Sequence, residues 1–462
     1  MGEIYPATYP LAHSPIYLFT YSPFHLFTLI MRINIVHEGA HFLEYEIRKI
    51  VEYAYKIREM GQPITWENIG DPVAMREEVA PWIKEIVHGL VSENTSWGYC
   101  PTKGVLKTRE FLAAEVNKRD GVRVSAEDII FFNGVADAID KVYELLHRNA
   151  RVLLPAPVYS THSSNECKRA GYLPLQFHLR PENGWLPDMD EVRNIIRFNP
   201  QIAGIGLINP DNPTGLAYPR TVLEEFAEIA RQNRLFLVTD EIYVHMYYDR
   251  QKTVHLSEIC GDVPSLALRG ISKEFPWPGS RCAWMEVLNR DKDANFAEYV
   301  GSILNAKMLE VCATTLPQMS IPAVFGSPLY QTHLRRRAKM FQDRAVEAYD
   351  IFSRVPGVMC SLPDGAFYFS VVFRDGVLDS RQTLPIKNPE IRAYVDSLCQ
   401  NTTNDKRFAY NLLGSEGICI VPLSGFSTDL KGFRVTLLNT DDEKRRETFR
   451  QVAKAIEAYL NS

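Results

Sequence analysis

Between about residues 95 and 300, short apolar runs alternate with longer segments whose apolar positions recur every three or four residues. The runs are Asp128–Phe132, Arg151–Leu154, Leu173–Phe177, Ile202–Ile208, Leu235–Val238 and Leu266–Arg269. Continuous apolarity over so short a length predicts strands buried on both faces. The periodic segments Val105–Asp120, Val135–His147, Ser160–Ala170, Met189–Phe198 and Pro219–Asn233 predict helices. Strands and helices in alternation predict an α/β fold with a mainly parallel sheet covered on both faces. In such sheets ligands gather at the carboxyl ends of the strands.

The flanks read differently. In residues 43–60, Ile47, Ile50, Val51, Ala54 and Ile57 follow helical spacing, and Gly61 and Pro63 stop that helix. Thr65–Pro72 reads as a short strand entering a turn. Beyond residue 330 come a long charged helix over Leu334–Ser353, strands at Ala366–Phe373 and Gly432–Leu438, and a terminal helix over Asp441–Leu460. This second pattern predicts a smaller α+β domain. The stretch 374–405 is polar and reads as an irregular insertion. The expected division is an extension outside the core at 1–30, an arm and part of the small domain at 31–95, a large domain at 96–330 and a small C-terminal domain at 331–462.

Residues 1–30 contain no lysine or arginine. The apolar run Ile16–Met31 is broken by Pro23 and is shorter than the roughly 20 residues a membrane span needs. It also lacks the positive start and small-residue cleavage site of a signal peptide. Met31 opens the well-patterned part of the chain, so 1–30 is expected to be an upstream extension, as from a misplaced start codon. The 462 residues are 46% hydrophobic and 23% charged, the balance of a soluble globular protein long enough for more than one domain. A net charge of −5 gives no basis for binding nucleic acid or a membrane surface. The eight cysteines, at 100, 167, 260, 282, 312, 360, 399 and 419, form no CxxC pair. Neither a zinc site nor a disulfide framework is expected, and the cytoplasm is the expected compartment.

Four stretches carry candidate chemistry. In Arg269–Arg281, Lys273 stands among Ile271, Phe275, Pro276, Trp277 and Pro278, with Arg281 downstream. Apolar surroundings disfavour an ammonium ion, so such a lysine can become a neutral nucleophile that condenses with a carbonyl. Arg281 can hold an anion beside it. Taken alone, the stretch reads more readily as a Pro-rich surface loop. Asn133–Ala138 joins a strand to a helix and is either a plain turn or a turn whose backbone N–H groups face a phosphate. Asn209–Gly215 is a loop in which Asn212 can donate to a ring hydroxyl. Asp240-Glu-Ile-Tyr243 closes another strand. Asp240 is there a helix N-cap or a carboxylate for a protonated heterocyclic nitrogen, and Tyr243 can reach the phenolic oxygen of the same ring.

In this order the motifs resemble the pyridoxal-phosphate-dependent class I/II aminotransferases of fold type I, over roughly residues 32–462. The strings that carry the resemblance are Asn209–Gly215, Asp240–Tyr243, Ser272-Lys273 with Pro278–Arg281, Gly365–Tyr368 and Gly417–Pro422. The resemblance implies a large domain with a mainly parallel seven-stranded sheet between helices, plus a smaller α+β domain. It implies pyridoxal 5'-phosphate as cofactor, with Lys273 as its Schiff-base lysine and Asp240 on the pyridine nitrogen. Tyr243 and Asn212 match the donors to the ring oxygen, and Tyr159 the aromatic stacked on the ring. The phosphate matches the backbone amides of Val135 and Ala136 and the guanidinium of Arg281. Tyr99 matches the tyrosine that crosses from a second subunit, which implies a homodimer. Gly70 matches the glycine of the substrate-entry turn, and Arg434 the arginine that grips the substrate α-carboxylate. The peptide bonds before Pro157 and Pro213 are expected to be cis.

Two positions depart from the family pattern. Gly270 stands where a phosphate-binding serine is usual, and Asp137 places a negative charge in the phosphate turn, from which it must point away. The implied reaction is a ping-pong transfer of the amino group of an L-amino acid, alanine-like or aspartate-like, to a 2-oxo acid such as 2-oxoglutarate. Users of dicarboxylic substrates need a second cation. Between Cys282 and Leu334 only Arg290, Lys292 and Lys307 are candidates, none in a recognisable context, which favours alanine or another neutral donor. The rival readings are a lyase or synthase on the same fold and a non-enzymatic regulator. The second would need a DNA-binding segment, and residues 1–30 show no sign of one.

Overall fold

The computed structural model describes residues 35–43 and 46–462. The expected extension at 1–30 lies outside them. The central sheet runs in the order Ile129–Phe132, Ala283–Leu288, Ser265–Gly270, Phe236–Asp240, Ile202–Ile208, Arg151–Ala156, Gln176–Arg180 and Leu186–Pro187. Strands three to seven of this order are mutually parallel, while Ala283–Leu288 and the two-residue Leu186–Pro187 run antiparallel to their neighbours. That last short strand is the eighth, added at the edge of the seven implied by the resemblance.

The sheet is mainly parallel, and both its faces are apolar, as such sheets require. In Phe236–Asp240, Leu237 packs into one core and Val238 into another on the opposite side. The next strand alternates in the same way, with Leu266 and Leu268 on one face and Ala267 on the other. Helices cover both layers, among them Val135–Glu144, Ser160–Ala170 and Arg220–Asn233. Each begins within a residue or so of its expected start.

A second sheet, antiparallel, runs Val358–Cys360, Tyr368–Phe373, Gly432–Thr436 and Val421–Pro422. The long helix Tyr330–Phe352 and the terminal helix Asp442–Leu460 cover it, and Phe352 packs against both Phe369 of the sheet and Phe449 of that helix. Thr65–Trp66 pairs with Ile418–Cys419, which ties the early part of the chain to this unit.

The structure changes three expectations. The strand expected at Leu173–Phe177 lies at Gln176–Arg180, because Tyr172 and Leu173 are exposed and the buried side chains are Phe177 and Leu179. The stretch 374–405 is not irregular throughout: Pro389–Leu398 is a helix capped by Asn388, whose side chain accepts from the N–H groups of Glu390 and Ile391. The second cis proline is Pro210, not Pro213, whereas Pro157 is cis as expected. Around Pro213 the chain forms a turn in which Asp211 accepts from the N–H of Gly215 and, through its carboxylate, from the N–H and hydroxyl of Thr214. A trans proline fits that turn.

Candidate active site

Five strand ends and one helix converge on a single cavity of about 820 Å³. Asp240 ends its strand and stands opposite Ile208 in the neighbouring one, so Asp240 and the loop carrying Asn212 leave the sheet side by side. Lys273 leaves the next strand. Val135 and Ala136 open the helix that follows Ile129–Phe132, and Tyr159 precedes the helix that follows Arg151–Ala156. Arg434 projects from the small sheet, and Gly70 from the turn after Thr65–Trp66. The eight predicted site residues among these, together with Tyr243 and Arg281, all line this cavity.

Tyr99 is not in that lining. It is 87% exposed, and Trp97, Met308, Leu309 and Val311 are exposed large apolar residues as well. Its segment is pinned there: the Gly98 carbonyl accepts from the Thr315 hydroxyl at 2.8 Å.

Lys273 is held at both ends. Its carbonyl accepts from Arg337 Nη1 at 2.5 Å, and its Nζ donates to the Gly70 carbonyl at 2.6 Å. Arg337 is itself fixed by a two-pronged bond to Glu77, at 2.6 and 2.9 Å. Burial pushes the Lys273 ammonium down to about 8; the cations of Arg434 and Arg281 act in the same direction, and Asp71 and Asp240 oppose it. A neutral amine at physiological pH is therefore within reach.

Asp240 is buried. Its Oδ1 accepts from the N–H of Ile242 at 3.0 Å, and its Oδ2 lies 3.5 Å from His162 Nε2. His162 in turn meets the Tyr143 hydroxyl through Nδ1 at 3.1 Å. The Tyr243 and Tyr368 hydroxyls are 2.9 Å apart, and burial holds both phenols above their ordinary range. Arg434 donates to Asn212 Oδ1 at 3.0 Å and to the Asn68 carbonyl at 2.6 Å, with its guanidinium over the Tyr368 ring.

The anion cradle is built at the start of the Val135 helix. Gly134 has φ 92°, and a Cβ there would fall 2.4 Å from Arg281 Nη2. Glycine is required both by the dihedral and by the approach of the guanidinium. Helix N–H groups and a guanidinium facing one space suit a phosphate. Asp137 does point away: its carboxylate accepts from the Asn133 N–H at 2.9 Å and from Lys307 Nζ at 3.5 Å. Lys307 is thereby committed, and none of Arg290, Lys292 and Lys307 reaches the cavity.

Gly270 has a steric reason. A Cβ there would lie 2.9 Å from the Cys282 carbonyl oxygen and 3.1 Å from both Ala283 Cβ and Ile242 Cδ1. The close pairing of Gly270 with Ala283 leaves no room for a serine. Gly270→Ser is thus expected to lower stability by about 1–3 kcal/mol and to leave cofactor affinity no tighter. Thermal unfolding and a cofactor titration check both. Ser272 and Thr161 line the same cavity and bring hydroxyls to it from other positions.

The motifs missed His162, Tyr368, Asn68 and the Arg337–Glu77 pair. Tyr368 stood within a recognisable string, but nothing in the sequence joined the others to the site.

Comparison with known proteins decides the family. Residues 68–452 match the model for aminotransferases of class I and II. An uncharacterized aminotransferase of Methanocaldococcus jannaschii is 49% identical over 94% of this chain and 100% of its own length. The chain belongs to the class I and II aminotransferases. A glutamate-pyruvate aminotransferase of Escherichia coli is 29% identical to this aminotransferase, over 70% of this chain and 79% of its own. Among solved structures, an Escherichia coli aminotransferase superposes with a TM-score of 0.79 at 24% identity, covering 94% of this chain and 99% of that one, which shows the shared fold. The enzyme therefore transfers amino groups between amino acids and 2-oxo acids. No helix among the described residues is long and apolar enough to cross a membrane.

Proposed function

We propose that this aminotransferase moves the amino group of L-alanine, or a similarly small neutral donor, to 2-oxoglutarate in two ping-pong stages, with pyridoxal 5'-phosphate as cofactor. The observation that carries the reading is the meeting, in one cavity, of a lysine brought down to about 8, a buried carboxylate, an anion cradle and a guanidinium on the small sheet. The residues fit the cofactor. Arg281 and the N–H groups of Val135 and Ala136 would hold its phosphate, and Ser272 and Thr161 offer the hydroxyls that Gly270 cannot. Asp240 would hold the protonated ring nitrogen, Tyr243 and Asn212 the ring oxygen, and Tyr159 a face of the ring. When bound, the cofactor supplies a reactive carbonyl and an electron-withdrawing ring.

The chain's own groups do the rest. Lys273 would hold the cofactor through its neutral amine and, as the cavity's general base, would take the proton from the substrate α-carbon and return it. Arg434 receives the α-carboxylate, its planar fork oriented by Asn212 and Tyr368. The turn at Gly70 borders the entrance. The name of the glutamate-pyruvate relative supports the substrate pair. The exposure of Tyr99 and of the large apolar side chains of Trp97, Met308, Leu309 and Val311 supports a homodimer in which Tyr99 reaches the second subunit's phosphate. Eight free cysteines support a cytoplasmic location.

The test is a panel of amino donors added to the cofactor-loaded enzyme, followed by absorbance and by product. L-alanine and L-glutamate are expected to convert the aldehyde form to the amine form faster than L-aspartate does. Conversion by aspartate alone, or by no donor, would contradict the reading.

A further inference from the structure

The active-site cavity contains a cation that the reaction as described does not use. Helix Glu46–Glu59 buries Ile50, Ala54 and Ile57 in the core of the small sheet. At about 100° per residue its next face carries Ile47, Arg48, Val51 and Tyr55, and all four line the cavity. The helix start is firmly seated. Glu46 is buried, accepts from the Tyr410 hydroxyl at 3.1 Å and pairs with Lys406 at 2.9 Å. Arg48 therefore hangs from a fixed base, with an exposed guanidinium.

The other charges in the cavity are committed. Arg434 is oriented by Asn212, Asn68 and Tyr368. Arg281 stands against Gly134 at the anion cradle. Asp71 accepts from the N–H groups of Val73 and Ala74 through Oδ1 and faces Lys273 electrostatically. Arg48 has no ion pair or hydrogen bond among the described residues. Beside it, Ile47 and Val51 offer an apolar wall of the kind that suits methylene groups.

We propose that Arg48 is the second carboxylate anchor of the site: it binds the distal carboxylate of a five-carbon dicarboxylic substrate whose α-carboxylate lies on Arg434, while Ile47 and Val51 flank the carbons between. This rests on the substrate pair proposed above and adds the residue that recognises its dicarboxylic member. The cation comes from the same subunit, on helix Glu46–Glu59, and not from the 282–334 stretch. A long arginine on an exposed face also accounts for a neutral partner substrate. With alanine or pyruvate bound, the guanidinium stays in water and no buried charge is left unpaired.

The test compares Arg48→Gln and Arg48→Lys with the wild type, all loaded with cofactor. Two selectivities are read: binding of glutarate relative to butyrate, and kcat/KM for 2-oxoglutarate relative to pyruvate. Loss of a charge-assisted pair is expected to lower both ratios roughly 10- to 100-fold in Arg48→Gln, with Arg48→Lys falling less. Ratios that do not move, or equal weakening of both ligands, would overturn the assignment. Turnover of 2-oxoglutarate by the wild type tests the substrate pair separately. Its absence would end that reading, and the glutarate comparison would still decide Arg48.

Discussion

Lys273→Ala is expected to lower amino-group transfer by roughly 10⁴-fold or more while the protein stays folded. The side chain lines a cavity and makes one hydrogen bond, to the Gly70 carbonyl. Its removal therefore costs little packing, and the bond from Arg337 to the Lys273 backbone carbonyl survives the substitution. What is lost is the one lysine amine that lines the cavity among the described residues, and with it the group proposed to move the α-proton. The pH dependence follows from the same environment. Burial brings the ammonium down from the ordinary lysine value of 10.5 to about 8. Below that value the reactive neutral fraction falls about tenfold per pH unit, so the rate at which cofactor-free protein takes up pyridoxal phosphate should climb with pH and level off above about 8. A profile still climbing toward 10 would show that burial does not depress this lysine. For stability the sign is the reverse of a salt-bridged lysine's: the unfolded chain binds the extra proton between about 8 and 10.5, so this residue adds stability as pH rises through that window.

Asp240→Ala carries the second largest effect, a loss of roughly 10²- to 10³-fold in turnover. The carboxylate is buried at the carboxyl end of a central strand, between the Ile242 N–H and His162. Charge placed there would be fixed before substrate arrives, as the role proposed for it toward a protonated ring nitrogen requires. The substitution leaves the Ile242 N–H without its acceptor, at a stability cost of about 1 kcal/mol. Turnover and thermal unfolding measured together separate the two effects. A fall in turnover matched by general unfolding would mean that Asp240 is only a helix-end acceptor.

Much of this site was legible because its residues stand where the strands end. Asn212, Asp240 and Lys273 each follow a short apolar run, and residue types in that order at those places leave few other chemistries. The parallel sheet was legible for the same reason, since both-face burial writes itself as unbroken apolarity. What escaped has physical causes too. Ala283–Leu288 carries Glu286, a buried charge paired with Arg269 at 3.2 Å and Arg119 at 3.5 Å, which interrupts the apolar run. Pro389–Leu398 buries only Ile391 and Val395, too few to stand out from a polar stretch. Helix Thr315–Phe325 contains Pro322, a residue that argues against a helix when only the sequence is read. Arg48 was visible as one more charge on an amphipathic helix; only the fold turns that face toward Lys273. Likewise Gly270 looked like a lost contact and proved to be a packing requirement of two paired strands.

The role proposed for Lys273 is to carry the cofactor. Borohydride fixes an amine–carbonyl linkage in place, so reduction of the protein loaded with pyridoxal phosphate, followed by peptide mapping, reads the attachment site directly. One modified peptide is expected, with the label on Lys273, and no label in Lys273→Ala. A label on another lysine, or an unchanged label in the variant, would contradict it.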